Sequence, residues 1–243
     1  MARPPTDLPV TYSDVTQAAQ VLAGMAVRTP LLESSALNEQ AGGRLLFKPE
    51  TLQVTGSFKF RGAYNHISRL EASVKKTGVL AYSSGNHAQG TAAAAHYCGT
   101  PALIVMPEDA PEVKKHGTAR WGAEIVSYDR YGTKSREDIA ARLAEDRGLN
   151  LVKPYDDRLI MAGQGTVGLE IMQQLSDRTL QADRVLIPCG GGGLTAGIAT
   201  AVKCNEPNTM IQTVEPEGFD DTARSLKLDT RQQADLNLSL IHI

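Results

Sequence analysis

Cysteine is scarce in this chain, and so are charge imbalance and apolar runs at the start. Only Cys98, Cys189 and Cys204 occur in 243 residues, scattered and without CxxC spacing. An odd, dispersed set excludes a disulfide framework and a structural zinc site. Lys and Arg number 25 against 27 Asp and Glu, a formal charge of −2, with no run of like sign. A nucleic-acid partner would need a basic stripe, and none exists. The first nine residues, Met1 to Pro9, hold no apolar stretch of the kind a signal peptide requires, so the chain is expected to be soluble and cytoplasmic. Residues 185–202 are uncharged and long enough to raise the question of a membrane span, but they contain Pro188 and the run Gly190–Gly193. Both penalise a continuous helix, and a strand, a turn and a helix fit better. There is no internal repeat and no low-complexity linker.

What remains is ordinary globular composition, with 42% hydrophobic and 21% charged residues. At this length one large domain or two small ones can bury roughly 70–75% of the unfolded surface. Short aliphatic runs at Val79–Tyr82, Ala102–Met106, Glu124–Tyr128, Leu151–Lys153, Arg184–Pro188 and Thr209–Val214 predict strands. Between them lie segments of helical period. Val15, Ala18, Ala19 and Leu22 share one face behind a predicted cap at Ser13, as do Phe60, Ala63, Tyr64 and Ile67. Lys134–Arg147 and Gly165–Leu175 predict further helices. Strands apolar on both faces, alternating with helices, predict an α/β fold with a parallel sheet covered on both sides. Ligands of such sheets sit at the carboxyl ends of the strands.

Four stretches there carry chemistry. Val185–Pro188 runs through Cys189 into Gly190–Gly193 and then a small-residue helix. Glycines let a backbone turn its N–H groups inward while the helix N-terminus adds positive charge, a cradle for an anion. In Thr55-Gly-Ser-Phe-Lys-Phe-Arg-Gly-Ala63, Lys59 lies between two phenylalanines at a helix start. Desolvation and the helix N-terminus both favour its neutral amine, the form a Schiff base requires. Ser83, Ser84 and Asn86 close a strand and open an alanine-rich helix, forming a polar nest suited to a carboxylate or ring oxygen. His87 beside them reads on its own as a structural histidine. Glu215, Glu217, Asp220 and Asp221 place four carboxylates in seven residues after a strand, ligands of the kind hard divalent cations prefer. One further pattern misleads. Gly163-Gln-Gly165-Thr-Val-Gly168 matches a dinucleotide fingerprint literally, but no good strand precedes it and Asp183 comes before its strand, so helix packing explains it better. A dinucleotide site built on Gly191, Gly193 and Ala196, with Glu215 ending the next strand, stays open as the reading from another class, a NAD-dependent oxidoreductase.

Together, in this order, the motifs resemble the fold-type II pyridoxal-phosphate enzymes, in the branch of serine/threonine dehydratases and serine racemases. The resemblance runs from about Asp14 to Leu226. It implies that Lys59 holds pyridoxal 5'-phosphate as a Schiff base beside Phe58, that Asn86 bonds the ring hydroxyl, and that Gly190, Gly191, Gly192, Gly193 and Leu194 cradle the phosphate. Ser83, Ser84 and the loop through Asn86 and His87 would grip the substrate carboxylate, and Ser84 would protonate the face opposite Lys59. Glu215, the Phe219 carbonyl and Asp221 match a divalent-cation site for Mg2+ or Mn2+. The implied architecture is a small domain over 76–150 inserted in a large one built from 1–75 and 151–243. The implied activity is that of an ammonia-lyase turning L-threonine or L-serine into a 2-oxo acid and ammonia, with serine racemisation or 3-hydroxyaspartate dehydration as alternatives and a homodimer as the assembly. The family's chains continue beyond this one, and their hydroxyl contact to the pyridine nitrogen has no counterpart here. The end, Leu238–Ile243, reads as translation of a transposon tag used in DNA sequencing, so a gene fragment lacking the last part of the large domain is expected, with apolar surface left exposed.

Overall fold

The computed structural model describes residues 9–133 and 135–232. Helix α1 (Tyr12–Leu22) begins before the predicted cap Ser13 because Thr11 caps it instead. The Thr11 hydroxyl accepts from the Asp14 N–H at 3.3 Å, and the Asp14 carboxylate accepts from the Thr11 N–H at 2.8 Å. This reciprocal box satisfies two donors that Ser13 could not. Short strands β1 (Leu32–Glu33) and β2 (Leu46–Phe47) pair antiparallel around α2 (Ser35–Ala41). A 3-10 turn at Glu50–Leu52 leads to α3 (Lys59–Ile67) and α4 (Ala72–Thr77).

The next segment alternates strand and helix: β3 (Val79–Tyr82), α5 (Asn86–Tyr97), β4 (Ala102–Pro107), α6 (Glu112–Ala119), β5 (Glu124–Tyr128), α7 (Arg136–Arg147) and β6 (Asn150–Leu151). The four strands are all parallel, in the order β5-β4-β3-β6. Their side chains alternate between two buried clusters. Ala81, Ile104 and Met106 meet Ala88 and Ala92 of α5, whereas Leu80, Leu103 and Val105 meet Ala140 of α7. Both faces of this sheet are therefore covered, which is why its strands lack polar alternation. The order reverses at β3, with β4 on one side and β6 on the other. The crevice outside the carboxyl ends of β3 and β6 is thus the switch point where ligands of such sheets bind.

Beyond it, α8 (Arg158–Ser176) is longer than the predicted helix. Residues 157–162, which look like a poor strand, form its capped first turns: the Asp157 carboxylate accepts from the Ile160 N–H at 2.9 Å. Then follow β7 (Arg184–Pro188), α9 (Gly193–Asn205), β8 (Met210–Val214) and α10 (Asp221–Leu228). Gly163, Gly165 and Gly168 all lie inside α8, not in a phosphate loop. A Cβ at Gly165 would stand 2.8 Å from the Gly197 carbonyl oxygen of α9, and one at Gly168 would stand 3.0 Å from Ala201. These glycines let helices cross closely.

The parallel pair β7–β8 departs from the two-sided expectation. Ile187 and the half-buried Val185 and Ile211 face Ile198 and Val202 of α9, but Leu186, Met210 and Val214 on the other side are 56%, 50% and 47% exposed. One face of this pair is bare among the described residues. No helix among them is long and apolar enough to cross a membrane.

Candidate active site

A cleft of about 50 Å³ opens between the segment after β6 and the N-termini of α3 and α9. It brings together Phe58, Lys59, Gly190–Gly193 and Leu194, seven residues the sequence singles out, and adds Pro154, Tyr155, Gln164, Pro188 and Thr195. Lys59 is the first residue of α3, and its ammonium donates to the Pro154 carbonyl at 2.6 Å while lying 5.3 Å from the Phe58 ring centroid. Burial pushes its pKa down to about 8. At pH 7.5 roughly a quarter of such amines are neutral, against about one in a thousand for a lysine at the ordinary value. The side chain is thus prepared for nucleophilic attack by desolvation.

Opposite it, β7 gives way to the glycine run. Gly192 adopts φ +80°, a left-handed turn that favours glycine, and serves as the N-cap of α9. Gly190 and Gly192 face open space. Gly193 lies against the Tyr155 backbone, where a Cβ would stand 3.0 Å from the Tyr155 carbonyl oxygen, and the Tyr155 ring rests on Gly191. Neither α3 nor α9 has a side-chain cap, so two helix N-termini direct partial positive charge into the cleft. The buried Thr195 Oγ1 and Gln164 Nε2 have no hydrogen-bond partner among the described residues. Buried polar atoms without partners are rare, and here they belong to residues that line a positively polarised cleft. An amine, uncapped helix ends, spare polar atoms and an open glycine cradle fit a small aldehyde with an anionic tail.

The other predicted residues lie outside the wall of this cleft. Ser83 Oγ accepts from the Gly85 N–H at 3.1 Å. Ser84 is half-buried, and Asn86 is exposed as the first residue of α5, which also lacks a side-chain cap. His87 is buried and donates from Nε2 to the Val152 carbonyl at 2.9 Å. Burial and then the Lys59 charge hold its pKa down to about 3, so it is a neutral donor linking the loop after β3 to the segment after β6. The helix itself approaches Lys59 closely: a Cβ at Gly90 would come within 3.0 Å of the Lys59 carbonyl carbon. In the acidic segment, both Glu215 carboxylate oxygens accept from α10, from Thr222 N–H at 2.9 Å and Ala223 N–H at 2.8 Å. Asp221 opens that helix, Phe219 sits in the turn before it, and no group of three His, Cys, Asp or Glu side chains gathers among the described residues.

The segment 152–157 is fastened a third time. His66 Nδ1 meets the Asp157 carboxylate and Nε2 meets the Asn150 side-chain oxygen, both at 3.2 Å. Burial alone would lower the His66 pKa, but these two acceptors outweigh it and raise it; burial likewise opposes Asp157, whose bonds to His66 and Ile160 lower it. Stability from the raised histidine is complete below its unfolded pKa of 6.5 and is lost as pH rises through the folded value. Stability from the aspartate is complete above 3.8 and is lost as pH falls through its lowered value. The pair therefore contributes most between those two limits. Denaturant unfolding should show stability falling as pH rises above 6.5 through the raised value of His66. His66→Phe should flatten that slope.

Comparison with known proteins matches residues 23–241 to the family model described as "Pyridoxal-phosphate dependent enzyme". The chain belongs to that family. The match continues past Leu226, where the motif resemblance ends; Leu238–Ile243 lies outside the described residues. Among curated relatives, the L-threo-3-hydroxyaspartate ammonia-lyase of Pseudomonas sp is 44% identical over 89% of this chain and 66% of its own length. The serine racemase of Schizosaccharomyces pombe is 41% identical over 89% and 66%. The L-threonine ammonia-lyase of Thermotoga maritima is 42% identical over 90% and 53%. The chain thus spans between about half and two thirds of these relatives. Among solved structures, maize serine racemase superposes with a TM-score of 0.88 at 35% identity, covering 93% of this chain and 67% of that one. The T.th. threonine deaminase gives 0.86 at 48% identity, covering 91% and 70%. The dinucleotide reading falls here. Membership in that family makes pyridoxal phosphate the cofactor in place of a dinucleotide.

Four of the added cleft residues differ in how visible they are beforehand. Thr195 stands two positions after the last glycine of the run and could be found as a first-turn hydroxyl of α9. Pro154, Tyr155 and Gln164 come from another part of the chain and carry no local signature.

Proposed function

We propose that this chain carries the cofactor-binding part of an ammonia-lyase that converts a β-hydroxy amino acid, L-threonine or L-serine, into a 2-oxo acid and ammonia. The observation that carries the reading is the Lys59 amine, brought down to about 8 by burial and facing an open glycine cradle between two uncapped helix ends. Bound pyridoxal phosphate supplies an aldehyde for amines and a conjugated ring that accepts electrons. Lys59 would hold it covalently beside Phe58, and Gly190–Gly193, Leu194 and Thr195 would receive the phosphate. Asn86 would bond the ring hydroxyl, and Ser83, Ser84 and His87 would belong to the loop that orients the substrate carboxylate. With cofactor and substrate bound, the freed Lys59 amine would be the general base for the α-proton. The net reaction would be loss of the β-hydroxyl as water, and water would then release ammonia to leave the 2-oxo acid.

The relatives favour a second reading within the same chemistry, since their names include 3-hydroxyaspartate ammonia-lyase and serine racemase. The three β-hydroxy substrates share their reacting atoms and differ at the β-substituent. Assaying 2-oxo acid from L-threonine, L-serine and L-threo-3-hydroxyaspartate with the cofactor-loaded protein tests the proposal; no turnover of any of them removes it. In this reading Ser84 would provide the hydroxyl that protonates the face opposite Lys59. Ser84→Ala is expected to lower D-serine formation from L-serine at least tenfold while sparing 2-oxo acid release, and equal D-serine rates in both proteins would take Ser84 out of the reaction. The division into a small domain at 76–150 and a large one from both flanks, a homodimer, and a cation site at Glu215, the Phe219 carbonyl and Asp221 belong to the same proposal. Each Glu215 oxygen retains a lone pair beyond its helix bond.

A further inference from the structure

Behind Lys59 lies a buried network of two cations and two anions. Arg61, 1% exposed, donates from Nε to Glu50 at 2.8 Å, from Nη1 to Glu170 at 2.6 Å and from Nη2 to the Val27 carbonyl at 3.0 Å. Lys48 completes the set, donating to Glu170 and to the Thr29 carbonyl, both at 2.6 Å. Burying four charges gives a fold little net stability compared with apolar side chains of the same volume. What a two-pronged guanidinium grip supplies is fixed geometry.

That geometry acts on α3. Residues two apart on a helix point about 200° away from each other, so Arg61 grips the side of α3 opposite the side Lys59 presents to the cleft. The start of α3 has no side-chain cap to hold it: Phe58 occupies that position in a helical conformation. The long-range bonds of Arg61 tie this turn to the 3-10 turn at Glu50–Leu52, to the segment at Val27 and to the middle of α8.

We propose that Arg61 is a positioning residue for Lys59: by anchoring the back of the first turn of α3 to Glu50 and Glu170, it keeps the amine at the Pro154 carbonyl and out of water. The inference rests on the reading of Lys59 as the cofactor's lysine, but its test reads the amine directly. In the cofactor-free protein, competitive acetylation across pH, followed by peptide mapping, reports the titration midpoint of Lys59 beside those of surface lysines. The parent should titrate near 8. Arg61→Met should raise the midpoint by at least one pH unit and weaken pyridoxal phosphate binding about tenfold. Arg61→Lys, which keeps the charge but loses the fork, should restore part of both. A folded Arg61→Met protein with parental midpoint and cofactor affinity overturns the proposal, even if its melting temperature falls. Should Arg61→Met not fold, Arg61→Lys is read by the same two measures, and parental values there overturn it equally. A parent whose Lys59 titrates near 8 but takes up no cofactor would sink the proposed function and leave the positioning role standing.

Discussion

Lys59→Ala is expected to abolish covalent capture of pyridoxal phosphate and to lower any lyase turnover by a factor on the order of 10³ or more. Two losses combine. The nucleophile that holds the aldehyde disappears, and so does the base placed to take the α-proton, a contribution of about 10²–10⁴ by itself. The fold should tolerate the change. The ammonium is buried with one carbonyl partner, Pro154, so its removal also relieves a desolvated charge, and alanine is well suited to the first turn of a helix. Borohydride reduction of the cofactor-loaded parent, followed by peptide mapping, should leave a pyridoxyl group on Lys59. A mark on another lysine in the parent, or its persistence in the alanine protein, would contradict the assignment.

Gly163→Ala should be strongly destabilising, as should Gly197→Ala, whose added carbon would also meet backbone atoms. A Cβ at Gly163 would stand 2.6 Å from Gly62 Cα, 2.7 Å from the Arg61 carbonyl oxygen and 2.8 Å from the Gly62 nitrogen. All three are backbone atoms and cannot rotate aside, so α8 and α3 must separate. Overpacking of this kind costs about 3 kcal/mol, which for a chain of this size lowers the melting temperature by roughly 6–12 °C. The separation would also pull Glu170 from Arg61. Gly190→Ala is the control, because nothing lies within 4 Å of its added carbon. Calorimetry showing equal effects at the two positions would refute the close-crossing account of the Gly163, Gly165 and Gly168 pattern.

That pattern illustrates what is legible in one dimension. The strands at Glu124–Tyr128 and Arg184–Pro188 are read to the residue, because continuous aliphatic runs between polar boundaries have few other solutions. Lys59 and the glycine run are legible because their chemistry is local: an amine between aromatics, and four glycines between a strand and a helix. The start of α1 is obscured by two nearby hydroxyl residues, of which only Thr11 has an acidic partner three positions on. The first turns of α8 are obscured because Leu159–Met161 looks extended, although Asp157 before it is a sound cap. Nothing in the sequence pairs Lys59 with the Pro154 carbonyl, since a backbone acceptor has no residue-type signature and lies 95 positions away. The Arg61 network is hidden for the same reason, its acidic partners lying 11 and 109 positions away.

Lys59, His87 and His66 each hold one point of the short run between β6 and α8, the same run that lays the Tyr155 ring on Gly191. Chemistry at the amine is consequently also mechanics. Were Lys59 to take up an aldehyde as proposed, its nitrogen would keep at most one N–H of three, and its hold on the Pro154 oxygen would have to be shared or given up. His87 and His66 would then carry most of the run that lays the Tyr155 ring on Gly191.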